Sequence, residues 1–398
     1  MRILLINDRG TRWAGAENQI LGIRDELRRR GHDARLFSSD VINLGLKCES
    51  DYTCLGTDAR VRNLLQVANP WAYFGLRRIL REFQPEVVHV RTFLAQLSPS
   101  LLPLLQRAPA IYHFVLYKAV CPMGTKVLPN GLLCSHTAGL ACLQEHCLPL
   151  RGWLPHMMQL ALWRRWQTAF DLVITPSRAA LRYYPSSDPA RLQVLWNGVP
   201  IRPQRPPLPD TPVVAYAGRL THAKGVDVLI RAFSSLLAEI PNARLLIAGE
   251  GEERGRLTAL GQQLHGMPQI QFLGHLNPEE LERALEAAWV TVLPSRWVEP
   301  FGVVIAESMM HGTAVISTTI AGCAEVIQEG RTGLLVPPND PKALMAALRC
   351  LLSDKKKAEA LGAAAREYAL EFLTVEKCVD TLEATYSRLI ASYAARPT

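Results

Sequence analysis

Two glutamates stand eight positions apart in the run Glu299-Pro300-Phe301-Gly302-Val303-Val304-Ile305-Ala306-Glu307. Pro300 donates no backbone hydrogen bond and disfavours helix at the residue before it, so Glu299 belongs on a loop. From Val303 to Met310 the chain can continue as helix. The N–H groups of Gly302, Val303 and Val304 then lack intrahelical acceptors, and such an end suits an anion. Glu307 follows Val303 by one turn and can face the same side. A loop carboxylate, a phosphate cradle and a second carboxylate thus come in order. A nucleotide sugar offers hydroxyls, phosphates and a ribose diol in that same order, and an acceptor-only carboxylate such as Glu307 reads a diol well.

Two cations extend the pattern. The apolar run ending at Ala217-Gly218 is followed by Arg219, Lys224 and Gly225. At the carboxyl edge of a parallel sheet this pair suits a diphosphate, the arginine as a planar fork and the lysine as a point charge. An isolated pair of loop charges is usually only solvated; the Glu299–Glu307 joint in the same half weights the reading towards phosphate. Gly15, in Trp13-Ala14-Gly15-Ala16-Glu17 just before a helix, lets backbone approach a phosphate closely. His113 follows Ile111-Tyr112 at the end of an apolar run. No Asp-x-Asp pair occurs in the chain, so Arg219, Lys224 and the helix N-terminus must offset the charge of a leaving diphosphate. Neither a cofactor nor a catalytic metal is expected. Among nine cysteines, Cys121, Cys134, Cys142 and Cys147 cluster, with His136 and His146 between them. They read either as a structural zinc site or, since no C-x2-C knuckle is present, as free packed thiols.

The elements that must position these residues alternate regularly. Arg2–Ile6, Asp33–Phe37, Val87–Arg91, Ile111–Phe114, Leu172–Thr175 and Gln193–Leu195 read as strands, with helix Glu17–Arg30 ending at Gly31. Val199–Pro212 contains six prolines, and it is read as an exposed linker. The rhythm restarts with strands Val213–Gly218, Ala243–Ala248, Gln269–Leu273, Val290–Leu293, Val315–Ser317 and Gly333–Val336. Helices Val226–Glu239, Pro278–Ala288, Val303–Met310 and Pro341–Asp354 lie among them. This is an α/β chain of two doubly wound, Rossmann-like domains: residues 1–200, a proline-rich linker at 201–212, and residues 213–374. Ligands of such sheets bind beyond the carboxyl ends of the strands, and here two such edges can face each other across a cleft.

Composition narrows the partners. The chain has 398 residues, 48% hydrophobic and 20% charged, which is globular. Residues 1–208 hold 26 Lys/Arg against 14 Asp/Glu, and residues 209–398 hold 18 against 22. No nucleic-acid module accompanies the basic half. Its arginines alternate with aromatics, in Trp71, Tyr73, Phe74, Arg77, Arg78 and Arg81 and again in Arg151, Trp153, Trp163, Arg164, Arg165 and Trp166. An anionic membrane surface would fit such clusters, but the plain reading is tryptophan in the core and arginine in water. The opening Ile3-Leu4-Leu5-Ile6 is too short for a signal segment, and no apolar run approaches the roughly 20 residues of a spanning helix. The expected place is the cytoplasm, with peripheral attachment to the inner face of a membrane left open.

The Glu299–Glu307 segment resembles the E-x7-E signature of retaining glycosyltransferases of family 4, which have the GT-B fold. Further matches follow in the family's order: Gly15-Ala16-Glu17, His113, Asn197-Gly198-Val199, Gly218-Arg219-Leu220 with Lys224-Gly225-Val226-Asp227, Ala248-Gly249-Glu250-Gly251, Phe272-Leu273-Gly274, Gly322-Cys323-Ala324-Glu325 and Gly333-Leu334-Leu335-Val336. The resemblance implies a hexosyltransferase using a nucleotide-diphosphate sugar, with a growing glycan or lipid-linked glycan as acceptor, as in polysaccharide or lipopolysaccharide synthesis. It implies that Arg219, Lys224, Glu299 and His113 serve catalysis, Glu299 near the donor 3-hydroxyl and His113 near its 6-hydroxyl. Gly15, Leu276, Gly302, Val303, Val304 and Glu307 would bind the donor. It also implies that a last helix, about Val375–Ala395 within residues 375–398, packs back on the N-terminal domain. An epimerase or hydrolase on the same fold, or a non-catalytic nucleotide-sugar-binding subunit, are the other readings.

Overall fold

A computed structural model describes residues 1–12, 15–41, 47–58, 61–185, 188–264 and 268–396. The chain divides into two compact units. The first comprises Met1–Asn130, Cys134–Gly198 and Val375–Thr398, the second Gly131–Leu133 and Val199–Thr374.

The first unit is built on strands β1 (Arg2–Arg9), β2 (Asp33–Ser39), β3 (Tyr52–Cys54), β4 (Val87–Val90), β5 (Ala110–His113), β6 (Leu172–Thr175) and β7 (Leu192–Val194). They form one parallel sheet in the order β3-β2-β1-β4-β5-β6-β7. Strands buried on both faces need near-continuous apolar runs, and Ile3 to Ile6 are all fully buried. Helix Gly15–Arg29 covers one face, and helix Val375–Ala394 joins it through Cys378, Val379, Leu382 and Tyr386, which share a core cluster with Ile20, Leu27 and Leu36.

The second unit repeats the plan with β8 (Val213–Ala217), β9 (Arg244–Ala248), β10 (Ile270–Gly274), β11 (Val290–Leu293), β12 (Ala314–Thr318) and β13 (Gly333–Val336), ordered β10-β9-β8-β11-β12-β13. All its pairings are parallel. In both sheets the strand order reverses beside the first strand, between β1 and β4 and between β8 and β11. A crevice opens at such a point because successive loops leave in opposite directions.

Half of Val199–Pro212 is exposed, as a linker would be, but the segment is also held to the second unit. Its prolines keep it free of helix and strand, yet Val199 and Leu208 are buried. Val199 N–H donates to the Leu373 carbonyl at 2.7 Å, Arg205 Nε to the Gly312 carbonyl at 2.9 Å and Trp289 Nε1 to the Pro209 carbonyl at 3.0 Å. Groups outside the segment thus use its polar backbone and side chains, which makes it a strap on the second unit. The helix Lys355–Phe372, which buries Ala358, Leu361, Ala365 and Ala369, had no counterpart in the sequence reading. No helix among the described residues is long and apolar enough to cross a membrane.

Candidate functional site

The β8–β11 switch point gathers the second unit's chemistry. After β8 the chain runs through Arg219 to Lys224 and enters helix Val226–Leu236; after β11 it runs through Ser295 to Phe301 and enters helix Val303–His311. The two loops touch through backbone. Gly225 has φ 67°, and a Cβ there would overlap the Pro294 carbonyl oxygen, so only glycine fits. Arg296 then locks the pair. Its Nη1 and Nη2 donate to the two Asp227 oxygens at 2.5 and 2.7 Å, Nη1 also reaches the His222 carbonyl at 3.1 Å, and its backbone N–H bonds the Ala223 carbonyl at 2.9 Å. Burial pushes the Asp227 carboxyl up, but the Arg296 fork outweighs it and holds the group below its ordinary value.

That lock brings Lys224 and Glu299 together, 75 positions apart in sequence. Lys224 Nζ donates to both Glu299 oxygens at 2.7 Å. Ser295 Oγ at 3.1 Å and Trp297 Nε1 at 2.8 Å donate to Oε2 as well. The Trp297 ring centroid lies 5.6 Å from Nζ, a cation–π distance. Each side chain of the ion pair keeps 12% of its exposure. Lys224 is therefore a charge already matched by a carboxylate, whereas the sequence reading gave it to the diphosphate alone. Arg219 lies exposed.

Gly302 turns the chain from this loop into helix. It has φ 81°, and a Cβ would stand 2.8 Å from Leu293 Cδ2 and 3.0 Å from Cys323 Sγ. No side chain caps the helix, so the first-turn N–H groups at Val303 and Val304 are left for another acceptor. Glu307 is half-buried one turn on. Burial pushes its carboxyl up to about 7, against Arg202 and with Glu282 adding. Leu276 leaves the edge strand β10, two strands from β8, and is half-buried.

The first unit's switch point is organised differently. Gly15 opens helix Gly15–Arg29; Trp13 and Ala14 lie outside the described residues. Glu17 is half-buried, and burial pushes its carboxyl up to about 7. Asp8 accepts from the N–H groups of Ala95, Gln96 and Leu97 at 3.0, 2.7 and 3.0 Å, so its oxygens serve the loop after β4. His113 is fully buried at the end of β5. Its Nδ1 lies 3.3 Å from His89 Nε2, and His89 Nδ1 lies 2.6 Å from the Tyr386 hydroxyl. Burial, with the nearby Arg91, drives His89 down to about 3 and His113 well below its ordinary value, so both rings are neutral. His113 Nε2 has no partner among the described residues.

Arg91, just past β4, neighbours His113 across the strands, since Val90 pairs with Tyr112. It is 2% exposed. Nη2 donates to Asn197 Oδ1 at 3.0 Å, while Nε and Nη1 have no partner among the described residues. Burial lowers it to about 10. Sequence reasoning passed over both Arg91 and Arg296. The signal existed: each is a lone cation within three residues of the end of a buried apolar strand.

Cys121 is buried, Cys134, Cys142 and Cys147 are half-buried, and all four are free thiols. Burial, with the other three thiols adding, raises Cys147 to about 11. Among the described residues, however, no group of three or more His, Cys, Asp or Glu could hold a metal ion. Instead Lys126 Nζ lies 4.0 Å from Cys134 Sγ, and His136 Nε2 lies 3.3 Å from Glu145.

Comparison with known proteins gives this geometry its relatives. Residues 13–202 match the sequence model of Glycosyltransferase Family 4, and residues 200–368 that of Glycosyl transferases group 1. Alpha-maltose-1-phosphate synthase of Mycolicibacterium smegmatis is 31% identical over 60% of this chain and 72% of its own. The chain spans only 37% and 44% of the length of two further curated relatives, at 38% and 34% identity. Among solved structures, sucrose-phosphate synthase of Thermosynechococcus elongatus superposes with a TM-score of 0.74 at 22% identity, covering 98% of this chain and 99% of that one. Anabaena HepE in complex with UDP and glucose gives 0.69 at 18%, covering 98% and 100%. With both units matched in order and the two parallel sheets alike, the chain belongs to glycosyltransferase family 4, group 1, with the GT-B fold.

Proposed function

We propose that this protein is a retaining glycosyltransferase that moves a sugar from a nucleoside diphosphate to a hydroxyl of a growing glycan or lipid-linked glycan. The reading places it in the cytoplasm, working at the inner face of a membrane. One observation carries it: the Lys224–Glu299 pair, an uncapped helix N-terminus and Glu307 follow one another around the β8–β11 switch point. The helix N–H groups of Val303 and Val304 would hold diphosphate oxygens, Glu307 the ribose hydroxyls and Glu299 a hydroxyl of the sugar, with Leu276 completing the donor site. Lys224 has three donors, and Glu299 fixes its ammonium in place. Together with Arg219 it would stabilise the departing diphosphate without moving in the reaction, the kind of electrostatic assistance that contributes most.

As the bond from C1 to the phosphate oxygen breaks, the acceptor oxygen bonds C1 on the same face. The departing phosphate oxygen takes the acceptor's proton, so no separate base is needed. What supports retention is the first unit's carboxylates: Asp8 is committed to three backbone donors. Glu17 sits at the proposed phosphate loop, and His113 is buried and neutral. The test is a screen of radiolabelled nucleotide sugars with the purified protein and a glycan acceptor. Label transferred to the acceptor supports the reading. Epimerised or free sugar, or binding without turnover, would replace it with the epimerase, hydrolase or binding-subunit alternatives.

A further inference from the structure

Helix Pro70–Phe83 has two opposed faces. Asn69 caps it by accepting from the Ala72 N–H, and Ala72, Leu76, Ile79, Leu80 and Phe83 are buried. At roughly 100° per residue these fill one arc. Trp71, Phe74, Arg78 and Arg81 recur at spacings of three and four, so they form a stripe on the opposite arc, with Arg77 at its border. Trp71 is 51% and Phe74 62% exposed, and the three arginines are exposed too. Core packing therefore does not account for these aromatics. It does account for part of the other basic–aromatic cluster, where Trp163 is buried.

The arginines point the same way. In the same unit Arg12, Arg28 and Arg35 each reach a carboxylate, at 2.6, 2.6 and 2.9 Å. Arg77, Arg78 and Arg81 pair with no carboxylate among the described residues, and Glu82, one turn from Arg78, does not engage it. With Thr53, Cys54, Leu55, Gly75 and the two aromatics they line a groove of about 540 Å³. Rings flanked by unpaired guanidinium groups match the boundary of an anionic bilayer, where apolar rings enter the interface and cations meet phosphate.

We infer that the outer face of helix Pro70–Phe83 docks on an anionic lipid surface. This gives the lipid-linked acceptor of the proposed reaction a place to be met, yet vesicle binding requires no donor and stands or fails independently of transfer. The experiment is cosedimentation of the full chain with phosphatidylcholine vesicles, with and without phosphatidylglycerol. Binding to the anionic vesicles only, weakening with salt, is expected. The triple variant R77E/R78E/R81E should lose about a hundredfold in vesicle affinity, and W71S/F74S about tenfold. Both should keep the wild-type melting temperature and transfer to a soluble acceptor at the wild-type rate, because neither touches a buried residue. Equal binding to neutral vesicles, no binding, or unchanged binding by both variants would overturn the inference. So would wild-type protein that ignores vesicles but binds RNA through the same arginines.

Discussion

At the β8–β11 switch point Lys224 and Arg296 have each met a carboxylate, while at the β1–β4 switch point Arg91 and His113 keep polar atoms that nothing among the described residues satisfies. Both places sit where strand order reverses, and both carry a carboxyl that burial raises to about 7, Glu307 in one and Glu17 in the other. The difference lies in preorganisation. In the second unit the loops are locked before any donor arrives, so little reorganisation is left for the reaction. In the first, desolvated groups are held without partners among the described residues, an arrangement the rest of that unit must stabilise.

The sharpest way to break this comparison is to remove one half of the satisfied pair. Lys224→Ala should lower turnover at least about a hundredfold and destabilise the protein by about 3 kcal/mol, because Glu299 is left partly buried without its cation. The double variant K224A/E299A should regain much of that stability and none of the activity. Urea unfolding and transfer assays on the three proteins read both effects; additive stability losses would mean that the pair is not coupled.

Glu307 gives the next largest effect, through pH. Its carboxyl is raised from 4.5 to about 7 in the folded protein, so folding favours the protonated form. Its contribution to stability is greatest below the unfolded value, falls as pH rises through the window between the two, and is constant above it. Glu307→Gln should therefore be more stable than wild type at pH 8 by about 3 kcal/mol and equal to it near pH 4. A stability difference between the two proteins that does not change between those pH values would remove the burial argument.

The unsatisfied region predicts a smaller change in stability. Arg91→Met should alter it by less than about 1 kcal/mol, since an apolar chain of similar length needs no partners, while slowing transfer. A loss as large as that of Lys224→Ala would show that Arg91 is as well satisfied as Lys224. Smallest of all, chelating divalent metals should leave transfer unchanged, because the chain lacks an Asp-x-Asp pair and offers Arg219, Lys224 and a helix end instead. Reversible loss of activity on chelation would contradict that.

What the sequence displayed was the alternation. Strands such as Leu172–Thr175, Val290–Leu293 and Gly333–Val336 stand where their apolar runs predict, because a strand buried on both faces announces itself without a partner. Helix Val303–His311 was legible from Pro300 and Gly302. The helix Lys355–Phe372 was not, since its buried face is mostly alanine, a weak periodic signal. Nor could Val199–Pro212 be seen as a strap, because its contacts are with residues far along the chain, such as Trp289 and Gly312. The Glu299–Glu307 spacing and the two cations were visible as types. Their pairing was not: Lys224 meets Glu299, and Arg296 meets Asp227, only because β8 and β11 are neighbours in the sheet, which no local pattern states.

The central claim is that the satisfied switch point supplies the donor chemistry and that no separate base is used. It is tested most directly by the anomeric proton signal of the product formed from an α-linked nucleoside-diphosphate sugar. The account predicts an α-linked product, from wild type and, more slowly, from His113→Ala. A β-linked product would contradict it, because inversion needs a base on the far face of the sugar.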